Sequence, residues 1–321
     1  MSVRAPVGPV NEAREEVCIG RGLAAIRSGR NIERDYLWYA LSWLQPEIAG
    51  NDGAVFPSIN KAQIEALEIP LPPLNEQKRI AAALDQAFVA LDRARVNAEA
   101  NLADAQEVYS AKLQSIFAEI EGCRELGSLC DVFTDGDWIE SNDQSSDGVR
   151  LIQTGNVGIG VFKDREEKAR HISEDTFKRL RCTEIFEGDC LISRLPDPVG
   201  RSCILPSTGK KMITAVDCTV VRFNTGLMLP TFFNHYAQSS RYFDFVSQKC
   251  TGTTRNRISR SNLALVPVPS PPISKQRAVV STLDKMRDEV LSLRDCYTQK
   301  LTDIAGLRQS FLQAAFSGQL G

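Results

Sequence analysis

The sequence predicts an α+β protein in which mixed α/β globular parts are joined by a long antiparallel two-helix coiled coil. Three observations carry that expectation: an internal repeat, a pair of proline-free helix-forming stretches, and a heptad in the second of them. Ile69-Pro70-Leu71-Pro72-Pro73-Leu74-Asn75-Glu76-Gln77-Lys78-Arg79 recurs loosely as Val268-Pro269-Ser270-Pro271-Pro272-Ile273-Ser274-Lys275-Gln276-Arg277. At the same offset Ile59, Lys61 and Ile64 answer Ile258, Arg260 and Leu263, and Leu84-Asp85 answers Leu283-Asp284. Pro6-Val7-Gly8 answers Pro198-Val199-Gly200 after a small gap. The order is therefore a partial unit, a long helix, a full unit and a second long helix.

Residues 1–70 read as the closing part of a first domain, with residues 2–26 as its late strands. Its apolar residues there are Val3, Val7, Val10, Val17, Ile19, Leu23 and Ile26. Bare strand edges carrying such residues are prone to aggregate. Residues 75–120 form the first long helix and 274–317 the second. Each proline cluster stops a strand-like run and starts a helix, because proline fixes φ and biases its predecessor towards extended structure. Asn75 and Ser274 sit where N-caps belong, with Gln77 and Gln276 inside the first turn. Both stretches are rich in Ala, Leu, Glu, Gln, Lys and Arg, which favour helix. In the second, Leu283, Val290, Tyr297, Ile304 and Phe311 fall seven apart, and Met286, Leu293 and Leu307 occupy d-type positions. The first runs through Ile80, Leu84, Ala87, Leu91, Ala94 and Ala98, then resumes at Leu102, Ala105, Tyr109 and Ile116. Gln77 and Gln114 are four residues further apart than Gln276 and Gln309, a stutter that locally unwinds a supercoil.

At 1.5 Å per residue each helix would be on the order of 65 Å long. Two heptad helices can seal each other, and the intervening unit must leave one end of the first and return to the start of the second. That favours an antiparallel pair over two separate surface helices. Residues 121–270 read as a mixed α/β domain with strands at 189–193 and 217–223 and a helix at 229–240. Glycines at 148, 155, 158 and 160 mark loops.

Composition narrows the function classes. The chain has 321 residues, 43% of them hydrophobic, enough for about two domains and their connectors. Lys and Arg total 38 against 40 Asp and Glu, a net charge of −2, which argues against a protein that coats nucleic acid electrostatically. Nine cysteines occur, none in a C-x-x-C pair, beside two histidines, His171 and His235. Metal-ligand spacing is absent, and the odd count suits buried free thiols in a reducing compartment. No apolar run approaches the roughly 18 residues of a membrane span, and the N-terminus lacks a signal-peptide core. The expectation is a cytoplasmic protein with no membrane, metal or cofactor.

Several segments look like those of specificity subunits of type I restriction–modification enzymes. Ser2-Val3-Arg4-Ala5-Pro6-Val7-Gly8-Pro9-Val10, followed by Cys18-Ile19-Gly20-Arg21-Gly22-Leu23, resembles the middle of that family's target recognition domain. Phe56-Pro57-Ser58-Ile59-Asn60-Lys61 and the Pro-Leu-Pro-Pro-Leu-x-Glu-Gln run resemble the domain's exit and the start of the first shared helix. Gln309-Ser310-Phe311-Leu312-Gln313-Ala314-Ala315-Phe316-Ser317-Gly318 resembles the close of the second. The resemblance implies two target recognition domains reading the halves of a split double-stranded DNA site, with the coil setting their distance. It also implies docking of methyltransferase subunits and of a motor–nuclease restriction subunit. Met1 aligns with Ile192, so the chain is expected to begin within its first recognition domain, lacking roughly 70 residues. A late-annotated start, a separate upstream polypeptide or self-association each answers that expectation. A truncated scaffold that binds methyltransferase without full site recognition is the rival reading.

The richest DNA-contact candidate is the run Lys249-Cys250-Thr251-Gly252-Thr253-Thr254-Arg255-Asn256-Arg257-Ile258-Ser259-Arg260. Arg grips guanine in bidentate fashion, Asn pairs with adenine, and Ser, Thr and backbone N–H groups hold phosphates, so Lys249, Thr253, Thr254, Arg255, Asn256, Arg257, Ser259 and Arg260 are candidates. The alternative is an ordinary solvated face. The first unit's equivalent, Gly53-Ala54-Val55-Phe56-Pro57-Ser58, has no cation before Lys61. Trp138 in Asp135-Gly136-Asp137-Trp138 and Asn156 in Gln153-Thr154-Gly155-Asn156 are further candidates, against a turn in which Trp138 covers the core. Arg194 and Arg201 flank a Pro-Val-Gly turn and suit phosphates or a surface salt bridge. No catalytic constellation stands. Gly209-Lys210-Lys211 has Ile204 where a phosphate-loop glycine belongs, and the Asn/Asp-Pro-Pro-aromatic run of amino-methyltransferases is missing. Glu166-Glu167-Lys168 precedes Pro196-Asp197, the wrong order for a nuclease, and the histidines have no partner motif. The chain reads as a non-catalytic subunit that directs chemistry performed by others.

Overall fold

The computed structural model describes residues 1–49, 58–252 and 256–319. The chain begins with α1 (Arg34–Ala49), α2 (Lys61–Glu65) and the long α3 (Leu74–Ala118). Then follow β1 (Cys123–Glu125), β2 (Cys130–Asp135), β3 (Gln144–Ser145), β4 (Val149–Ile152), β5 (Arg170–Ile172) and α4 (Glu174–Leu180). Next come β6 (Cys190–Ser193), β7 (Ser202–Ile204), β8 (Met212–Thr214) and β9 (Cys218–Phe223). The chain closes with α5 (Pro230–Tyr236), α6 (Ser240–Gln248), α7 (Arg260–Ala264), β10 (Pro267–Pro269) and the long α8 (Ile273–Phe316). Two compact units result, one of Met1–Ala103 with Leu293–Gly321 and one of Asp104–Ser292. No helix among the described residues is long and apolar enough to cross a membrane.

In the first unit, Tyr36, Tyr39 and Ala40 of α1 pack on Ile80, Ala81, Leu84 and Phe88 of α3 and on Leu312, Ala315 and Phe316 of α8. Further along α3, Asp92 meets Arg308 at 3.3 Å, and the Arg308 guanidinium lies over Phe88 at 4.1 Å. Rising positions on α3 thus meet falling positions on α8, which makes the pair antiparallel within this unit. The late strands expected over residues 2–26 do not form. Only the isolated bridges Ser2↔Leu23 and Arg4↔Ser58 are made among the described residues, and Val17, Ile19 and Leu23 are exposed. A strand needs a continuous ladder to hold its backbone groups, and β-branched composition alone does not supply one.

The second unit places strands β6 and β9 where the sequence predicts them. One antiparallel sheet runs β2-β9-β6-β7, and a second runs β3-β5-β4-β8 with β4 and β8 parallel. The helix expected over 229–240 breaks after Tyr236, and Ser239 caps a new helix by accepting from the Tyr242 N–H. Phe232, Phe233, Tyr236 and Tyr242 of this pair form the main core with Tyr109, Leu113 and Phe117 of α3 and Leu283 of α8. Strand β1, leaving α3, pairs antiparallel with β10, which leads into α8. Cys182, Cys190, Cys203 and Cys218 are buried free thiols, and burial pushes the Cys203 thiol up to about 12. Cys18, Cys123 and Cys296 are exposed, so the expectation of buried thiols holds for part of the set.

Both long helices begin on the same device. The Gln77 side chain accepts from the Glu33 N–H at 2.7 Å and donates to the Asn31 and Pro72 carbonyls at 3.0 and 2.8 Å. Gln276 accepts from the Leu229 N–H at 2.9 Å and donates to the Leu227 and Pro271 carbonyls at 2.9 and 2.8 Å. Both side chains are fully buried. Asn75 and Ser274 are not N-caps: the helices begin one residue earlier, with the Pro73 and Pro272 carbonyls receiving the Gln77 and Gln276 N–H groups. A proline ahead of the first turn lacks the N–H that would want a cap. The parallel continues about two turns on, where Tyr39 donates to Asp85 and His235 Nε2 lies 2.9 Å from Asp284 Oδ1.

His235 is buried and its Nδ1 lies 3.3 Å from the Tyr109 hydroxyl. Burial holds its pKa below the ordinary 6.5, with Asp284 only partly offsetting it. The folded unit therefore keeps the neutral ring, donating to Asp284 through Nε2, while the unfolded chain takes up a proton more readily. Stability from this group is present above pH about 6.5 and is lost as pH falls below it. The drop in melting temperature between pH 7.5 and 5.5 should be smaller in His235→Asn than in the parent. Equal pH slopes in the two thermal-melt series would remove His235 as the cause.

Candidate nucleic-acid interface

Four loops of the second unit converge around two buried arginines. Arg201 Nε donates to the Val157 carbonyl at 2.6 Å and Nη2 to that of Thr154 at 2.9 Å. Its Nη1 reaches the carbonyls of Leu195 and Pro198 at 2.9 and 3.0 Å. One guanidinium thus ties the loop after β4 to the turn between β6 and β7. Arg194 ties that turn onward. Its Nη2 donates to the Val216 carbonyl at 2.6 Å and meets Asp135 Oδ2 at 3.4 Å. Its backbone N–H donates to the Asp217 carbonyl at 2.9 Å, and its carbonyl receives the Ile258 N–H at 3.3 Å. Desolvation lowers the pKa of both arginines, and both stay charged because a guanidinium ordinarily titrates far above neutral pH. Among the described residues Arg194 Nε is buried without a hydrogen-bond partner.

These positions correct the sequence reading. Arg201 and Arg194 direct their donors into the protein, because the turns around them leave carbonyls bare and a planar fork can serve several at once. Asn156 is likewise internal: its Oδ1 accepts from the Gln153 N–H at 3.0 Å and its Nδ2 donates to the Lys163 carbonyl at 2.9 Å. Ser259 is exposed, but its hydroxyl caps α7 by accepting from the Asn262 N–H at 3.1 Å. Asn60 caps α2 in the same manner at the equivalent place in the first unit. Arg194, Arg201 and Asn156 thus spend their polar groups inside the fold, while Ser259 is a cap at the surface.

Other candidates face solvent. Trp138 is 70% exposed, so it does not cover the core, and only its Nε1 leans on Glu140 at 3.4 Å. Its loop is fixed by the Asp137 carboxylate, which accepts from the Thr183 N–H at 3.0 Å, and by the Val216 N–H donating to the Asp137 carbonyl at 2.9 Å. Thr251 and Arg257 form a bridge that pinches the 249–258 loop at its base. Lys249, Asn256, Arg257 and Arg260 surround it, with Arg257 Nη2 3.2 Å from Asp217 Oδ1. Thr253, Thr254 and Arg255 lie outside the described residues, as does residue range 50–57 of the first unit. The carboxylates Asp135 and Asp217, which hold Arg194 and Arg257, escape a reading of the sequence alone. Their signal is weak: an acid at a strand end is common.

Comparison with known proteins gives the following likenesses. Residues 1–101 match the family described as "Type I restriction modification DNA specificity domain". The chain is 51% identical over 83 residues to the putative type I restriction enzyme MjaX specificity subunit of Methanocaldococcus jannaschii, covering 25% of this chain and 20% of that protein. It is 28% identical over 94 residues to the type I restriction enzyme EcoKI specificity subunit of Escherichia coli, covering 29% of this chain and 20% of that one. The chain therefore aligns with about a fifth of the length of these curated relatives. A solved chain from work on complex assembly and conformational transition of the type I R-M system superposes with a TM-score of 0.73 at 21% identity, over 89% of this chain and 71% of that chain. The HsdS subunit from Thermoanaerobacter tengcongensis superposes at 0.59 and 20% identity, over 89% and 70%. The fold is shared along most of the chain, and the family match lies in its first third. In its first third the chain is thus similar to type I restriction–modification DNA specificity domains, and along most of its length it shares the fold of solved type I chains.

Proposed function

We propose that this chain reads double-stranded DNA for a type I restriction–modification complex, with residues 121–270 acting as one target recognition domain and 1–70 as part of another. The observation that carries the reading is the convergence of four loops, stapled by Arg194 and Arg201, beside which Trp138, Lys249, Asn256, Arg257 and Arg260 project. Fixed loops with projecting Arg, Asn and Lys match what base edges and phosphates require. The long helices, 75–120 and 274–317, set the spacing of a bipartite site and receive the methyltransferase subunit, which the restriction subunit joins. The chain itself performs no chemistry and directs those subunits to DNA.

Replacing both Arg255 and Arg257 with Ala should weaken duplex binding. The slope of log K on log salt should flatten by about 1 for each phosphate no longer gripped. The Arg257→Ala change leaves only a part-exposed Asp217 without its partner, so folding should be little affected. Fluorescence anisotropy across a salt series reads both quantities. Unchanged affinity and slope would reduce the loop to a solvated face.

A further inference from the structure

We propose that a second surface of the same unit, a cleft between the loop after β4 and the start of β5, holds one backbone phosphate of the DNA without reading its sequence. This rests on the DNA-binding reading above and adds a site to it. The cleft encloses about 380 Å3 and is lined by Gln153, Gly155, Asn156, Arg165, Lys168 and Arg170, with Ala169. Three cations line it, and among the described residues no carboxylate does.

The surrounding charges are already sorted. Asp164 and Glu166 both hold Arg150, Glu166 at 3.2 Å, and Glu166 also receives Lys210 at 2.7 Å. Those contacts hold both carboxyls below their ordinary range, so they stay ionised and engaged. Arg165, Lys168 and Arg170 stand beside those pairs; Asp164 and Glu166 are turned to Arg150 and Lys210, and Glu167 does not line the cleft. Gly155 forms the floor: a Cβ there would lie 2.4 Å from Arg165 Nη1. A glycine at this point lets the guanidinium lie across the backbone and leaves the cleft open. Asn156 pins the floor through its hydrogen bonds to Gln153 and Lys163, and Arg201 anchors it from beneath through the Thr154 carbonyl. A rigid floor, three cations and no facing acid suit a compact anion with several acceptor oxygens, as Arg and Lys clusters do for phosphate. The same Arg201 carries the floor to the 195–198 turn, and Arg194 carries that turn to the 249–258 loop. Cleft and loop are therefore tied together through the two buried arginines. In this division the loop supplies groups for base edges, and the cleft grips the backbone through charge.

The test compares the full chain with Arg165→Ala/Lys168→Ala/Arg170→Ala on duplexes of several sequences over a salt series. The expected result is an affinity loss on the order of 10-fold at low salt, equal for every sequence, with the salt slope flattened by about 1. Arg165→Lys/Arg170→Lys should keep the slope. Lys168→Glu alone, on an exposed turn, should give the same uniform loss and serves if the triple variant does not fold. If the parent binds duplex and these variants match it in affinity and slope, the cleft is not a phosphate site and the wider reading is untouched. If the parent binds no duplex, the wider reading fails. Inorganic phosphate titrated against the arginine Nε–Hε resonances of the 15N-labelled chain then decides the cleft. Saturable shifts in the parent, absent from the triple variant, keep it as a phosphate site for another source, and no shifts overturn it.

Discussion

Gln276→Leu should lower the melting temperature of the unit formed by Asp104–Ser292 by roughly 10 °C or more, although the change barely alters side-chain volume. The leucine fills the same space but abandons the Leu227 and Pro271 carbonyls and the Leu229 N–H, all bonded to the glutamine at 2.8–2.9 Å. A buried polar group left without a partner costs about 1–3 kcal/mol; with two of the three bonds only part-buried, the set costs on the order of 3–6 kcal/mol. At about 2–4 °C per kcal/mol for a unit of this size, the shift is large. Gln276→Glu should be no better, since an ionised carboxylate cannot donate to either carbonyl. Gln77→Leu should do the same to the first unit through Asn31, Pro72 and Glu33. Calorimetry on the full chain separates the two units if they melt apart. A shift under about 2 °C in either variant would mean that water or backbone adjustment replaces the amide, and the staple would have no energetic role.

That device explains why the long helices are readable in the sequence and the elements before them less so. The proline–glutamine repeat is a local signal: proline halts one element, and the glutamine four residues later starts the next. The glutamine's partners lie 44 and 47 residues upstream, at Glu33 and Leu229, and nothing in the local sequence announces them. The correspondence of α1 with the α5–α6 region is hidden for that reason. It is offset from the proline–glutamine repeat by a gap, and what the two regions share is a place in the packing, Tyr39 on Asp85 against His235 on Asp284. The opposite holds over residues 2–26. There the valines suggest strands, but strand formation depends on a neighbouring chain and not on composition.

The candidate site is legible as residue type and not as direction. Arg194, Arg201, Asn156 and Ser259 suggest themselves because polar groups in glycine- and proline-rich turns suit DNA. In the fold those same turns expose carbonyls and N–H groups to the interior, and the nearest polar side chains satisfy them. Lys249, Trp138, Asn256, Arg257 and Arg260 are exposed instead, Arg257 with one lateral contact to Asp217. The cleft cations are masked in the sequence because Arg165, Lys168 and Arg170 are interleaved with Asp164, Glu166 and Glu167, which hides any net basic run. Only pairing in three dimensions sorts acids engaged by Arg150 and Lys210 from cations that face the cleft.

Arg201→Met should release the loop after β4 without removing a direct DNA contact. Methionine keeps much of the apolar stem but has no donor, so the carbonyls of Thr154, Val157, Leu195 and Pro198 give up a charged partner at 2.6–3.0 Å. Hydrogen bonds to a charged group are worth about 1.5–3 kcal/mol each, and bare buried carbonyls add to the loss. Solvent reaching the opened loop offsets part of that. A local destabilisation on the order of 3 kcal/mol remains, equivalent to roughly a hundredfold faster amide exchange across residues 153–162. Arg201→Lys should rescue little, because one ammonium lacks the planar fork that reaches four carbonyls in two loops. Exchange mass spectrometry distinguishes this from the phosphate role that the sequence suggests for Arg201. A phosphate contact would leave exchange unchanged and flatten the salt slope of DNA binding by about 1. A positioning residue accelerates exchange at 153–162, and duplex affinity falls because the loops behind Arg165 and Arg257 are no longer held. Parent-like exchange in Arg201→Met would restore Arg201 as a ligand contact.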